Sequence, residues 1–366
     1  MANLTLKAVA IFLLCSYSSV RFLVPLISQE LLSRCLGSVI FVVASYLIAA
    51  RVTSGGKIAS TRGKSVLITG CDTGMGNALA RRLDGLGFRV FAGCLSEHGE
   101  GAAGLRQGCS EKLTVIQLDV TSDKEVKEAV SLVEATLAKS GDVLWGVVNN
   151  AGVAVFGVVE WISMDAFQKV MDINVWGMVR VTKAFLPLIR KSKGRIVNMS
   201  SVLGRFSSPY CAAYCMTKYA VQSFTDVLRI EMFQWGVKAV IVEPGTFSAG
   251  SSAMLKEDTL TSGMDSVWNS TPMEVRQAYG EDHFQSVKTA LIMPILKTTH
   301  SSIVPVIKAY TSALTDENPN DRYFPSNVLC KCIAWANYYL PAAVMDCGLN
   351  LYLYLLLAKL QGLKVN

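Results

Sequence analysis

Ser201, Tyr214 and Lys218 have the residue types and the spacing that proton transfer requires. Tyr214 and Lys218 are four positions apart, so on a helix they lie one turn apart on the same face. An ammonium group there can lower the pKa of a phenol, so that the phenolate becomes accessible near neutral pH. Tyr214 is therefore a candidate to exchange a proton with an alcohol or a carbonyl, and Ser201 could hydrogen-bond the same oxygen. The alternative interpretation is a surface pair without chemistry.

A glycine-rich turn at 69–76 (TGCDTGMG) follows the first predicted strand directly, and a helix begins within it. Glycines let the backbone turn tightly and approach a pyrophosphate, whose charge is favoured at the amino end of a helix. The spacing is G-x-x-x-G-x-G, which predicts a dinucleotide site. A tight turn without a ligand is the alternative.

The end of the second predicted strand bears on the choice of dinucleotide. It reads Gly93-Cys94-Leu95, without an acid until Glu97 and without an Arg or Lys that could pair with a 2′-phosphate. Asp72, inside the glycine turn, would repel such a phosphate. The sequence therefore favours NAD over NADP.

The elements that position these groups alternate between apolar strands and helices. Such alternation is typical of a parallel sheet that is covered on both faces, and it predicts one doubly wound α/β domain at 61–325. The predicted strands are 65–69, 89–92, 113–118, 144–148, 195–199 and 237–242, and the predicted helices are 76–86, 123–139, 165–190 and 212–235.

Charge is distributed unevenly along the 366 residues, whose net charge is +7. Residues 1–64 carry +6 and residues 326–366 carry +2, so the segment between them carries −1. A nucleic-acid-binding domain needs clustered positive charge on its folded body, and this distribution excludes one. Apolar residues make up 51% of the chain, which also excludes a disordered protein.

The amino-terminal region, 1–60, contains two apolar runs, 8–20 and 36–50, with basic residues at their ends. Each run covers only about 20–23 Å as a helix, less than the ~30 Å hydrocarbon core, although basic side chains can snorkel. A two-span hairpin, a cleaved leader followed by one anchor, and helices packed on the domain are the three interpretations. The basic cluster at 51–64 favours a cytosolic catalytic domain.

The carboxyl-terminal segment, 326–366, is also apolar. Its last run, 349–360, follows another at 333–345 and is too short to span a bilayer. It predicts an interfacial, membrane-dipping segment, with a dimer-interface helix as the alternative.

Metal binding is not predicted. The chain has ten cysteines and three histidines, but no C-x-x-C pair and no set at a zinc spacing. So many unpatterned cysteines are typical of a reducing environment.

Taken in order, the motifs resemble the short-chain dehydrogenase/reductase family over residues 64–325, in its membrane-associated branch. Within the branch the sequence is most like the D-3-hydroxybutyrate dehydrogenases, and it is also similar to the 17β-hydroxysteroid and retinol dehydrogenases. The resemblance implies a Rossmann fold and an NAD-dependent alcohol dehydrogenase. The motifs that carry it are TGCDTGMG at 69–76, NNAG at 149–152, Asn174, Ser201, Tyr214-x-x-x-Lys218 and Pro244-Gly245.

The resemblance also implies roles. Tyr214 would be the general acid/base, and Lys218 would lower its pKa and hold the nicotinamide ribose. Ser201 would orient the substrate oxygen, and Asn174 would hold a water in a proton relay with Lys218. Asn149 would brace the sheet. The residues implied to bind the cofactor are Gly70, Gly74 and Gly76 at the pyrophosphate, Thr69, Asp72 and Met75 in the same turn, Asp119 at the adenine, Asn150 and Gly152 along the cofactor, Pro244 and Gly245 at the carboxamide, and Tyr214 and Lys218.

One departure from the family pattern follows Pro244-Gly245. Many relatives have a Thr a few residues further on, where this sequence has Ala249. Thr246, Ser248 or Ser251 could substitute for it. The proton-transfer groups are all retained, so the chemistry is expected to survive.

Substrate specificity is expected in the segment 246–300, with Arg205 and Phe247 as candidate contacts. A short hydroxy acid needs a cation for its carboxylate, which Arg205, Lys256 or Arg276 could supply. A structural ion pair is an equally good interpretation of Arg205.

The leading hypothesis is interconversion of (R)-3-hydroxybutyrate and acetoacetate. A membrane-bound steroid or retinol dehydrogenase is the first alternative, and a non-catalytic NAD-binding membrane protein is the second. A homo-oligomer in contact with membrane lipid is expected. The endoplasmic reticulum membrane is the expected location, with the mitochondrial inner membrane as the alternative.

Overall fold

The computed structural model describes residues 33, 37–45, 56–247, 256–298 and 302–360. Ile58–Ala334 form one compact unit, and Met1–Lys57 are grouped with Trp335–Asn366 in another. The larger unit contains all of the site residues discussed below.

A seven-stranded parallel sheet, counted within the described residues, is the centre of this unit, in the order β3-β2-β1-β4-β5-β6-β7. Its inner strands are buried on both faces, which explains their nearly continuous apolar runs. The predicted doubly wound sheet is confirmed, with one short strand more than expected. The strands are β1 Lys64–Thr69, β2 Arg89–Cys94, β3 Leu113–Gln117, β4 Val143–Asn149, β5 Arg195–Met199, β6 Lys238–Val242 and β7 Arg322–Tyr323.

Helices cover both faces of the sheet, and a buried apolar cluster lies on each side of it. Local signals fix their ends. In the helix Asp123–Ser140, the Ser122 side chain accepts the Glu125 N–H at the start, and Gly141 takes a left-handed conformation after the end. The helices of the larger unit are α1 Gly74–Gly85, α2 Glu100–Gly108, α3 Asp123–Ser140, α4 Met164–Met171, α5 Met178–Ser192, α6 Ala212–Met232, α7 Glu257–Ser270, α8 Met273–Tyr279, α9 Glu281–Thr298 and α10 Val304–Thr315.

The helix predicted at 165–190 differs from the observed one. Between α4 and α5 the chain forms a π-helical stretch, Asp172–Gly177. At its end, a Cβ on Gly177 would lie 2.6 Å from Cγ2 of Val120, so the glycine allows the helix to approach the residues after β3. Apolar periodicity does not reveal such a local change of pitch, and π turns are frequent at functional sites.

Two further helices are α11, Val328–Tyr339, and α12, Ala342–Leu360, which contains the apolar run 349–360. The run 8–20 lies outside the described residues, and of the run 36–50 only the helical residues 37–45 are described. Within the described part of the chain, none of the helices combines the length and apolarity that a membrane crossing requires.

Candidate active site

The carboxyl ends of four neighbouring strands bring the predicted site residues together. Gly70 follows β1, Asn150 follows β4, Ser201 lies two residues after β5, and Pro244 lies two residues after β6. Ligands of open α/β sheets bind at this edge, next to the point where the strand order reverses, here between β1 and β4.

Tyr214 and Lys218 share one face of α6, as their spacing predicts. The Lys218 side chain is almost fully buried, at 3% exposure, and its Nζ donates a hydrogen bond to the Met199 carbonyl oxygen at 3.0 Å. The same Nζ lies 5.3 Å from the centre of the Tyr214 ring. The ammonium is thus fixed between the end of β5 and the candidate acid/base.

The protonation of this pair corrects one expectation. The sequence predicts a lowered pKa for the Tyr214 phenol, but burial raises it to about 12, and a hydrogen bond with the Ser201 side chain offsets this only in part. Burial also lowers the pKa of Lys218 to about 8. The physical reason is desolvation, which disfavours the phenolate and the ammonium alike. The Tyr214 phenol is therefore protonated near neutral pH.

Asn174 lies in the π-helical stretch, and hydrogen bonds occupy both ends of its amide. Its Oδ1 accepts the Val153 N–H at 2.8 Å, and its Nδ2 donates to the Val153 carbonyl at 2.8 Å and to Thr217 Oγ1 at 3.1 Å. A Cβ on Gly152 would lie 3.3 Å from this Oδ1 and 3.7 Å from Lys218 Nζ. The Asn174 side chain thus joins the loop after β4 to the turn of α6 that carries Lys218.

Asn149 braces the sheet, which is the role that the sequence favours. Its Nδ2 donates to Thr182 Oγ1 at 2.9 Å and to Asn198 Oδ1 at 2.8 Å, and Asn198 in turn donates to Thr225 Oγ1 at 2.8 Å. These bonds link β4 and β5 to the helices α5 and α6.

The glycine turn fits a pyrophosphate. Gly70 has a φ of +71°, and a Cβ there would lie 2.9 Å from the Ala151 Cα. A Cβ on Gly76 would lie 2.2 Å from the Gly70 carbonyl oxygen. Gly74 has a φ of +65°, and the N-cap residue of α1, Thr73, makes no capping side-chain hydrogen bond. The first N–H groups of α1, including that of Met75, therefore lack a capping side chain that would compete with an anion.

Asn150 supports this turn from β4. Its Nδ2 donates to the carbonyl oxygens of Thr69 at 3.0 Å and Gly70 at 3.2 Å, and its Oδ1 accepts the Tyr310 hydroxyl at 3.3 Å. Tyr310 is fully buried, and burial raises its pKa well above the ordinary value. Sequence reasoning missed Tyr310, because it lies 160 residues away on α10 and belongs to no motif.

Asp72 joins the glycine turn to the end of β2. Its carboxylate accepts the backbone N–H groups of Leu95 at 2.9 Å and Ser96 at 3.0 Å. A Cβ on Gly101 of α2 would lie 1.6 Å from the Asp72 carbonyl oxygen, so a side chain cannot be accommodated there. Sequence reasoning missed Gly101, although an isolated glycine is a signal for close approach.

Asp119, expected at the adenine, follows β3. One of its carboxylate oxygens accepts both the N–H and the hydroxyl of Thr121, each at 2.8 Å. These bonds fix the turn before α3.

Pro244 and Gly245 are held by their neighbours. The Pro244 carbonyl accepts the Val202 N–H at 2.9 Å, and the Gly245 N–H donates to the Pro325 carbonyl at 3.0 Å. A Cβ on Gly245 would lie 2.4 Å from Ser326 Oγ, so the loop needs glycine here. Ala249 lies outside the described residues.

Two residues expected to contact the substrate have protein partners in this structure. The Arg205 guanidinium makes a two-bond ion pair with Glu243, at 2.9 and 2.7 Å, so its charge is already compensated. Phe247 is 2% exposed and packs in the core cluster that includes Val242 and Tyr310. The interpretation of Arg205 as a structural ion pair is the one that the structure supports.

A third apolar cluster lies beside the start of α6 and includes Cys211 and Cys215, on either side of Tyr214 in the sequence. Trp161 is at its centre, with its ring centroid 4.9 Å from that of Trp268. The segment from α7 to α9 supplies most of its other members. Its buried members are Trp161, Cys211, Cys215, Met264, Trp268, Phe284, Val287 and Leu291.

Among the residues that the structure describes, no group of three or more His, Cys, Asp and Glu side chains is placed to hold a metal ion. The cysteines in the same residues are free thiols.

The fold and the site together define a family. The family model described as short chain dehydrogenase matches residues 64–260. The chain therefore belongs to the short-chain dehydrogenase family and is an oxidoreductase that acts on alcohols.

Three relatives named for different substrates are similar to the chain. D-beta-hydroxybutyrate dehydrogenase, mitochondrial, of Bos taurus is 39% identical over 312 residues, which cover 85% of this chain and 90% of that protein. Estradiol 17-beta-dehydrogenase 2 of Mus musculus is 39% identical over 316 residues, covering 83% and 78%. Retinol dehydrogenase 7 of Mus musculus is 40% identical over 261 residues, covering 71% and 79%.

Among solved structures, a short chain dehydrogenase from Burkholderia cenocepacia in complex with NADP superposes with a TM-score of 0.58. It is 21% identical, and the match covers 79% of this chain and 98% of that one. At this identity the likeness supports the fold alone.

Proposed function

We propose that the protein is an NAD-dependent dehydrogenase that interconverts a secondary alcohol and its ketone. The observation that carries the proposal is the buried Lys218 ammonium, held 5.3 Å from the ring of Tyr214 beside Ser201. The glycine turn at the start of α1 supplies the second requirement, a cradle for a dinucleotide.

Bound in that cradle, NAD would supply the hydride acceptor. In alcohol oxidation, the Tyr214 phenol must first pass its proton to neutral Lys218, and the resulting phenolate then takes the proton of the substrate hydroxyl, whose oxygen the Ser201 hydroxyl holds. The Lys218 ammonium stabilises the phenolate until it takes the alcohol proton and, with a pKa of about 8, can release the proton that it received from Tyr214. Both ends of the Asn174 amide are hydrogen-bonded within the protein, so we assign this side chain to positioning the loop after β4 against α6.

NAD is the proposed dinucleotide because of the groups after β2. The Asp72 carboxylate is bound to the N–H groups of Leu95 and Ser96, which places a negative charge at the position expected for the adenosine ribose. The Asp72 carboxylate would repel a 2′-phosphate there, and neither Leu95 nor Ser96 carries a positive charge that could compensate for the repulsion.

For the substrate we propose (R)-3-hydroxybutyrate, with acetoacetate as its ketone. The likeness to the bovine hydroxybutyrate dehydrogenase covers 90% of that protein. A carboxylate needs a cation, and Arg276 on α8 is suited to supply one: its Nε is buried without a hydrogen-bond partner within the described residues. Its neighbours Val275 and Tyr279 pack against the third apolar cluster, beside Tyr214.

A steroid or retinoid alcohol is the second candidate. Arg205 is compensated by Glu243, and the cluster beside Tyr214 is apolar and aromatic. Such a wall suits a large hydrocarbon substrate, which gains about 25 cal/mol for each Å² of apolar surface that it buries.

Turnover with NAD separates these candidates. The full chain should form NADH from (R)-3-hydroxybutyrate, and more slowly or not at all from estradiol and retinol. Turnover of a lipid alcohol without turnover of the hydroxy acid would establish the second candidate instead.

We also propose that the protein is a membrane-associated homo-oligomer in the endoplasmic reticulum, with the mitochondrial inner membrane as the alternative. Exposed Ile230 and Phe233, at the end of α6, support self-association, and exposed Leu351 and Tyr354 on α12 support contact with lipid. Light scattering tests the oligomer. Imaging of the tagged chain with and without residues 1–60 tests the location, since loss of these residues should release it from the membrane.

A further inference from the structure

We infer that Glu243 is a positioning residue, whose buried carboxylate holds the three segments of the active site in register through two arginines. This role rests on the proposed alcohol dehydrogenase activity, since it concerns the placement of Ser201, Lys218 and the Pro244 loop.

The Glu243 carboxylate is completely buried, at 0% exposure. Its two oxygens accept Arg205 Nε at 2.9 Å and Nη2 at 2.7 Å, and one of them also accepts Arg322 Nη1 at 3.1 Å. The Arg205 guanidinium further lies over the Phe324 ring, 5.5 Å from its centre. A buried carboxylate is costly unless it is paired in this way, so each arginine has one well-defined position.

Arg205 connects the carboxylate to the segment of Ser201. It closes the short 3-10 turn Val202–Gly204 that begins after Ser201, and its N–H donates to the Val202 carbonyl at 2.9 Å. A shift of the Arg205 guanidinium would therefore move the backbone that carries the Ser201 hydroxyl.

Arg322 connects the carboxylate to the helix of Lys218. Its Nη1 donates to Gln222 Oε1 at 2.8 Å, and its Nη2 pairs with Asp226. Gln222 and Asp226 follow Lys218 at intervals of four residues, so all three lie on one face of α6. The position of this helix beside the strand ends thus depends on the same carboxylate.

Glu243 itself immediately precedes Pro244 and Gly245, the loop expected at the nicotinamide. Its N–H donates to the Tyr323 carbonyl at 2.8 Å, which adds a backbone tie between β6 and β7. One side chain is therefore linked to the Ser201 turn, to α6 and to the cofactor loop. Loss of its charge would remove the ion pair that Glu243 makes with Arg205 and leave Arg322 with Asp226.

Glu243→Gln, made in the full chain, tests this role, because it keeps the shape of the side chain and removes the charge. We expect kcat to fall at least tenfold and the NADH dissociation constant to rise at least fivefold. Glu243→Asp, which restores a carboxylate, should recover part of both.

Asp142→Asn is the matched control. It breaks the ion pair of Asp142 with Arg89, at 2.6 Å, which lies at the amino ends of β2 and β4, on the opposite edge of the sheet from the site. It should lower the melting temperature while leaving kcat and NADH affinity unchanged.

Wild-type kcat and NADH affinity in folded Glu243→Gln would overturn the inference. The inference would also be overturned if Glu243→Gln and Asp142→Asn lowered the melting temperature equally and lowered kcat equally. The role of Glu243 would then be structural only. If Glu243→Gln does not fold, Arg205→Lys tests the same role, because it keeps the positive charge but loses the two-bond geometry. A wild-type kcat in Arg205→Lys would then overturn the inference. If the wild type oxidises no alcohol, the proposed function fails, whereas NADH affinity still tests the positioning.

Discussion

The ammonium nitrogen of Lys218 lies 3.0 Å from the carbonyl oxygen of Met199, the last residue of β5. This bond fixes a buried charge between the sheet and α6. Burial lowers the pKa of Lys218 to about 8. The group is therefore able to change its protonation state close to physiological pH.

The rates of oxidation and reduction should depend on pH in opposite ways. Because the pKa of Lys218 is about 8 and that of Tyr214 about 12, the pair loses its first proton near pH 8. Alcohol oxidation needs the pair to accept a proton, so kcat/KM should rise tenfold per pH unit and level off above about 8. Ketone reduction needs the proton, so its rate should fall above the same pH.

Profiles of initial rate against pH in both directions check this prediction. In Lys218→Met the residual activity should lose the inflection near pH 8. An inflection that persists in the variant would assign it to another group.

Burial of the Lys218 ammonium should also make the stability of the folded protein depend on pH. The pKa of Lys218 in the folded protein lies below its ordinary value of 10.5, so the unfolded chain binds more protons between about pH 8 and 10.5. Stability from this group therefore rises with pH across that window, by about 3 kcal/mol. At pH 7 Lys218→Met should raise the melting temperature, while Lys124→Met, at an exposed position, should not change it. A lower melting temperature for Lys218→Met at pH 7 would show that the Met199 bond outweighs desolvation.

Cofactor preference should respond to Leu95, which is 63% exposed and follows β2. Leu95→Arg introduces a guanidinium where the 2′-phosphate of NADP is expected. A charge-assisted hydrogen bond contributes about 1.5–3 kcal/mol, so NADPH affinity should rise about 10–100-fold. Leu95→Gln, without the charge, should behave as the wild type in a fluorescence titration. Equal affinity of the wild type for NADH and NADPH would contradict the assignment of NAD.

Arg276 should recognise the carboxylate of the substrate. Arg276→Gln should raise KM for (R)-3-hydroxybutyrate at least tenfold, since a hydrogen bond to a charged group is lost. The methyl ester of the same acid lacks the charge, so its KM should not change. Lys308→Gln, at an exposed position on α10, is the control. Unchanged constants for the acid in Arg276→Gln would remove the support that this residue gives to a hydroxy acid.

Sequence reasoning predicts the parts of the fold that local patterns encode. The six longer strands follow from their apolar runs, and the glycine turn and the face shared by Tyr214 and Lys218 follow from spacing alone. The short strand Arg322–Tyr323 was missed because two residues carry no periodic signal. Desolvation of Tyr214 was missed as well, since its burial depends on packing from distant segments.

Contacts between distant residues account for the other differences at the site. Arg205 lies near Ser201 in sequence, which made it a candidate for the substrate, but its partner Glu243 lies 38 residues further on. Phe247 follows Pro244-Gly245 in sequence, yet its ring turns into the core. Proximity along the chain does not show in which direction a side chain points.

Tyr214 is expected to transfer the proton in oxidation of the substrate alcohol. NADH formation by Tyr214→Phe and by the wild type, with (R)-3-hydroxybutyrate, estradiol and retinol each as substrate, tests it most directly. The variant should lose about 10²–10⁴-fold in kcat, because general acid–base catalysis contributes that much, and should bind NADH as the wild type does. Equal turnover by the two proteins would contradict the role of Tyr214. A wild type as inactive as the variant on all three alcohols would favour a protein that binds NAD without catalysis.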